Sequence, residues 1–277
     1  MSTRMSTITL RVKSAPGFRV DASRLLPAAL APLSADDIAR LALPAGNETC
    51  AAGDLFDVAL TDSDTPELVI EGDAPWLDRL GAQLAAGRFE VRGAAGDYAG
   101  FGMSGGELHI EGDTGRFTGC EMSGGRITVA GNAGDFAAGA LPGDMEGMTG
   151  GTLTIRGNAG ARLADRMRRG LVIVGGDAGD FAASRIVAGT VCIAGRPGAH
   201  YAYGMRRGTL LLMQAPDRVP PTFTEGGHGF DVFWSLLARS LAREIAPFAT
   251  LDAGAPPRRY TGDLAVDGRG ELLIAQR

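Results

Sequence analysis

A glycine-led unit recurs through the middle of this chain at a nearly constant step. "GRFEVRGAAGDYAGFGMSG" starts at Gly87 and "GELHIEGDTGRFTGCEMSG" at Gly106. "GRITVAGNAGDF" starts at Gly125, "GTLTIRGNAGAR" at Gly151, "GLVIVGGDAGDF" at Gly170, "GTVCIAGRPGAH" at Gly189 and "GTLLLMQ" at Gly208. The step is 19 residues except for one of 26, which holds an insertion around "ALPGDMEG". A weaker copy, "PELVIEGDAP", starts at Pro66. A fixed period of this length is the mark of a repeat architecture.

The third and fifth residues of each unit are apolar, from Phe89 and Val91 through Leu108 and Ile110 to Leu210 and Leu212. In an extended strand these two positions face the same side. A unit so short cannot bury that face alone, but stacked copies can. The expected fold is therefore mainly β: a right-handed parallel β-helix of about seven coils, spaced about 4.8 Å apart. Each inward Val, Leu or Ile contributes roughly 1.5–3 kcal/mol before entropy is subtracted. Position twelve forms an aromatic column (Tyr98, Phe117, Phe136, then Arg162, Phe181 and His200). Position seventeen forms a methionine column from Met103 to Met205. Both are expected to fill the core.

Each strand ends in G-x-x-G-x-x-x-[G/A], as in Gly93, Gly96, Gly100 and Gly112, Gly115, Gly119. Corners made in so few residues need either positive φ or close approach of backbones. Asp113, Asn132, Asn158 and Asp177 follow the first glycine, and they are expected to tolerate the left-handed region. The segment "GFGMSG", Gly100–Gly105, spells a dinucleotide-binding fingerprint. It leads into the strand "GELHIEG" rather than a helix, so the repeat explains it and a cofactor loop does not.

Several functions are excluded. A net charge of −5 argues against nucleic acid as a partner. Cys50, Cys120 and Cys192 are odd in number and far apart, which fits a reducing cytoplasm better than a disulfide framework. No apolar run reaches membrane-spanning length. The single lysine, Lys13, lies outside any glycine loop, so there is no Walker A motif. His109, His200 and His228 show no zinc-ligand spacing. No catalytic, cofactor-binding or metal-ligating residues are assigned to this chain.

Three segments follow. Residues 1–65 form a mixed N-terminal cap, with a strand near Ile8–Val12 and a helix across Ala35–Leu41. Residues 66–213 form the β-helix. Residues 214–277 hold a crossover, a helix and an extended tail. The helix spans Phe230–Ile245, with Phe233, Leu237 and Leu241 on one stripe. It is expected to cover the later coils, whose outward positions turn apolar at Ile173, Cys192 and Leu211.

Arginines gather at the later corners. Arg166 and Arg185 share one position in successive coils. Arg168 and Arg169 share another with Arg206 and Arg207, two coils apart. Stacked like charges are costly unless an anion meets them. These six residues are the candidate docking strip for an acidic partner.

The coil motif resembles the C-terminal β-helix of the glutamate synthase large subunit. With the tail "PTFTEGGHGFDVFWSLLARSLA" and "RRYTGDLAVDGRGELL", and the N-terminal "LALPAGN…GDLFDV", it is more similar to the C-subunit family of formylmethanofuran dehydrogenases. That family includes the C subunit of the bacterial formyltransferase/hydrolase complex. The resemblance implies a scaffold subunit in one-carbon metabolism and formaldehyde oxidation. The complex moves formyl from formyl-tetrahydromethanopterin to a methanofuran-type carrier and releases formate. Implied partners are a formyltransferase subunit, a zinc amidohydrolase-like subunit and a dehydrogenase-like subunit. The carrier and the zinc belong to those partners, and the carrier's polyglutamate arm is a second candidate for the arginine strip. Three alternatives stand beside this reading: the C subunit of an archaeal-type formylmethanofuran dehydrogenase, a detached glutamate synthase β-helix, and a polysaccharide-acting β-helix enzyme. The last would be expected to carry a signal peptide and a cleft of Asp, Lys or Arg across coils.

Overall fold

Every repeat places one short strand beside the same strand of the repeat before. In the computed structural model, which describes residues 5–63, 67–227 and 229–275, these strands are Glu67–Glu71, Arg88–Arg92, Glu107–Ile110, Arg126–Val129, Thr152–Ile155, Leu171–Val174, Thr190–Ile193 and Thr209–Leu212. All pair in parallel and in register, so Phe89 lies beside Leu108, Leu108 beside Ile127 and Ile127 beside Leu153. The inward residues are essentially inaccessible to solvent. Register is firm because a slip of one residue would turn the apolar face outward.

Among the described residues the molecule is mainly β, built on a 13-stranded, mostly parallel sheet with few helices. The two ends of the chain supply the outer strands. Met5–Val12 lies parallel to Glu67–Glu71, and Phe56–Ser63 closes that side antiparallel. At the far side Gly270–Ile274 pairs in parallel with Thr209–Leu212. Arg258–Gly262 and Thr224–Glu225 follow antiparallel. Terminal segments thus cover edges that the repeats alone would leave unpaired. A short helix, Ala35–Ala39, lies within the expected N-terminal span and is capped by Ser34 and Asp37.

The methionine column is core: Met103, Met122, Met148, Met167 and Met205 are fully buried. The aromatic column is not. Tyr98, Phe136 and Phe181 are half-buried and His200 is exposed; only Phe117 is buried. All six residues of the column have φ between 57° and 63°. That conformation turns the side chain outward at the corner, where the rings stack on one another. Centroids are 5.0 Å apart for Tyr98 and Phe117, 4.9 Å for Phe117 and Phe136, and 4.9 Å for Phe181 and His200. The expectation of a core column is corrected here: position twelve builds an external ladder.

The glycines divide into two kinds. Gly112 does not have positive φ, but a Cβ there would lie 2.6 Å from backbone atoms of Gly93 and Ala94. Gly100 has φ +67°, the left-handed turn that glycine adopts without strain. The Asx residues after the first glycine are not left-handed, contrary to expectation. Their side-chain oxygens instead accept the N–H of the same position in the next repeat. Asp113 takes Asn132, Asn132 takes Asn158, Asn158 takes Asp177 and Asp177 takes Arg196, at 2.6–2.8 Å.

The tail helix runs Asp231–Leu241, shorter than the expected Phe230–Ile245. It covers the outward face of the later strands. Trp234, Ala238 and Leu241, with Ile245 and Phe248 beyond it, pack on Ile173, Cys192, Leu211 and Leu273. Phe233, expected on the buried stripe, is 42% exposed. The Trp234 indole N–H donates to the Asp252 carbonyl at 2.9 Å, which sets the buried face one residue further along.

Candidate functional site

The six arginines converge on one side of the later repeats. Backbone hydrogen bonding explains the paired positions. The N–H groups of Arg168 and Arg169 both point to the Met148 carbonyl, at 2.8 and 3.3 Å. Those of Arg206 and Arg207 point to the Ile186 carbonyl, at 2.9 and 3.5 Å. Each pair is thus presented by the same corner just before a strand. Arg166 and Arg185 occupy a left-handed position, φ 57° and 53°, one corner earlier.

Two adjoining clefts result. The first, about 370 Å³, is lined by Arg168, Arg169, Arg206 and Arg207 together with Val187 and Ala188. The second, about 550 Å³, includes Arg166, Arg185, Met145 and Tyr203. Arg168, Val187 and Arg206 line both.

The arginines differ in electrostatic state. The Arg185 guanidinium donates to both carboxylate oxygens of Asp165, at 3.0 and 2.6 Å. Asp165 is only 3% exposed, so this pair is poorly screened. Arg168 pairs with Glu146, and Arg166 donates to the Asp144 carbonyl. Among the described residues, Arg169, Arg206 and Arg207 are exposed and have no ion pair or side-chain hydrogen bond. Guanidinium forks two repeats apart, roughly 10 Å, can each take a carboxylate or phosphate in bidentate fashion. The cleft is suited to an anion with several charges along its length.

Sequence reasoning located all six arginines but missed their internal partners. Asp144 and Glu146 lie in the insertion that lengthens one repeat, and Asp165 belongs to the corner itself. The acidic residues inside the 26-residue step were the available signal. The same insertion brings Asp144 to Glu121, whose carboxyl is raised by burial and by the neighbouring Asp144.

The remaining titratable groups are dispersed. His109 sits on an outward strand position beside Thr128, and His200 ends the aromatic ladder. His228 lies outside the described residues. Burial pushes the Cys120 thiol up to about 12, and burial also raises Cys192. Such thiols are protonated and unreactive at neutral pH. Among the described residues no three His, Cys, Asp or Glu side chains converge as a metal site, and no helix is long and apolar enough to cross a membrane.

Residues 77–225 match the GXGXG motif family. The C subunit of the Fhc formyltransferase/hydrolase complex from Methylorubrum extorquens is 44% identical over 88 residues, 32% of either chain. The C subunit of the tungsten-containing formylmethanofuran dehydrogenase 2 from Methanothermobacter wolfeii is 35% identical over 101 residues, 35% of this chain and 37% of that one. The matched segments span about a third of the length of these curated relatives. A chain in the crystal structure of the M. extorquens formyltransferase/hydrolase complex (FhcABCD), solved with methylofuran, superposes with a TM-score of 0.89. It is 41% identical, and the match covers 97% of this chain and 100% of that one. The repeats, the added terminal strands and the tail helix thus align with a solved chain almost end to end, and this chain belongs to the GXGXG motif family and, within it, to the C-subunit family of formyltransferase/hydrolase complexes.

Proposed function

We propose that this chain is a non-catalytic structural subunit of a formyltransferase/hydrolase complex. The complex would move formyl from formyl-tetrahydromethanopterin to a methanofuran-type carrier and release formate. The observation that carries this reading is the match, over 97% of the chain, to a chain of such a complex. A structural role is supported by where the polar groups are used: the Asx oxygens and the corner carboxylates bind the next repeat's backbone. Chemistry, the carrier and zinc are assigned to a formyltransferase subunit, a zinc amidohydrolase-like subunit and a dehydrogenase-like subunit.

The scaffold is read as a right-handed parallel β-helix of about seven coils over residues 66–213, with segments 1–65 and 214–277 as caps. In-register strands support it, as do the bridges of a second column, Ala133 to Ala159 and Ala159 to Ala178. Right-handed crossovers are the rule for parallel strands. The arginine strip, and Arg169, Arg206 and Arg207 above all, is assigned to an acidic segment of a sister subunit or to the carrier's polyglutamate arm.

Affinity purification from the native host with mass spectrometry tests the assignment. Recovery with a formyltransferase and an amidohydrolase-like subunit is expected, and recovery of the chain alone would overturn it. Arg169→Glu with Arg207→Glu should weaken assembly or carrier retention. Wild-type behaviour in both assays would remove the arginine assignment while leaving the subunit reading in place.

A further inference from the structure

The aromatic ladder stops before the molecule does. Its rungs are Arg79, Tyr98, Phe117, Phe136, Arg162, Phe181 and His200, each left-handed at φ 57–63°. Each rung from Arg79 to Phe181 donates its backbone N–H to a carbonyl of the following repeat, at 2.7–2.9 Å. Beyond His200 the tail supplies a next layer at two places. Gly270–Ile274 extends the sheet, and Asp263 exchanges hydrogen bonds with Met205 and Gly204, at 3.0 and 2.9 Å. At the ladder it supplies none among the described residues. There the crossover and the Asp263 turn wall a cleft of about 680 Å³, with His200, Tyr201, Tyr203, Phe223, Pro220 and Pro221 among its lining. That size is typical of small-molecule sites.

One face of the His200 ring lies on Phe181, and among the described residues no ring or guanidinium covers the other. The His200 N–H, alone among the rungs, meets no acceptor among the described residues. Tyr203, three residues after His200, stands edge-on to Phe181 of the preceding repeat at 6.1 Å, which adds a second aromatic wall beside the end of the ladder. The Tyr201 hydroxyl donates to the Arg218 carbonyl at 2.7 Å, which ties the crossover to this corner as a wall of the cleft.

We infer that this cleft is a binding site for a planar aromatic or heteroaromatic molecule bearing a carbonyl or hydroxyl acceptor, which stacks on His200 as the missing rung and accepts its backbone N–H. Planarity is selected because every occupied rung is a flat group, either ring or guanidinium. Stacking of this kind favours offset rings at the 4.5–7 Å spacing the ladder already shows.

Benzamide and cyclohexanecarboxamide share the acceptor and differ in planarity. NMR titration of the full chain with each should give at least tenfold tighter binding of benzamide, with an upfield shift of the His200 ring protons. His200→Ala should weaken benzamide at least tenfold, and His200→Phe should restore it. His200 is exposed at the end of the ladder, so both variants keep the folded repeats, which a melting curve verifies. Equal affinity for the two carboxamides, no benzamide binding, or unchanged affinity in His200→Ala would each overturn the site.

Discussion

Arg162 lies on Phe181, its guanidinium carbon 4.9 Å from the ring centroid, with the Phe136 ring 5.7 Å away in the preceding repeat. A planar cation therefore takes the place of an aromatic rung where the ladder would otherwise break. Each contact is worth about 0.5–1 kcal/mol at a partly exposed site. Arg162→Ala should cost about 1–2 kcal/mol, whereas Arg162→Tyr should be neutral or stabilising. Denaturant unfolding of the two variants checks this, and equal losses would refute the cation–ring role.

Gly112 is held by space and not by φ. Gly112→Ala should destabilise by about 2 kcal/mol or more, because overpacking against rigid backbone cannot relax. Gly17→Ala meets nothing within 4 Å and should change stability by less than about 0.5 kcal/mol. Thermal melts of the two single variants decide the matter.

Asn132 both donates to Asp113 and accepts from Asn158, which links three repeats. Asn132→Ala should cost about 1 kcal/mol through the unpaired Asn158 N–H. Asn132→Asp should add a pH-dependent loss, since a second carboxylate would face Asp113. A variant whose melting temperature is unchanged between pH 4 and pH 8 would contradict it.

Removing residues 222–277 takes away the tail helix and the last parallel strand together. Ile173, Cys192 and Leu211 then lose their cover. The truncated chain should bind an apolar dye strongly, and Cys192 should become reactive to a thiol reagent under native conditions. Unchanged dye fluorescence and thiol titre would sink the covering role.

Burial and Asp144 raise the Glu121 carboxyl, so the folded chain binds that proton more tightly than the unfolded chain. Its contribution is full at low pH and is lost as pH rises through the raised folded value. Glu121→Gln should therefore melt higher than the parent chain at pH 7, with the difference closing near pH 4. Calorimetry at the two pH values measures it, and a lower melting temperature at pH 7 would exclude the assignment.

The sequence by itself determined the parallel, in-register stack. A period-two apolar pair repeated every 19 residues has only one way to bury all its copies, and the methionine column follows from the same register. It also located the six arginines, because identical steps place them at identical corners. The tertiary structure decided what periodicity does not encode. The direction of the position-twelve side chains depends on a left-handed φ that Tyr98 and Phe117 do not announce. The partners of Arg166 and Arg168, the Asp144 carbonyl and the Glu146 carboxylate, come from an insertion that interrupts the repeat, so no column contains them. The gap beyond His200 exists because the tail rejoins the sheet and the Met205 corner while bypassing the ladder. That bypass is a matter of chain path over long sequence separation, which local pattern and propensity leave open.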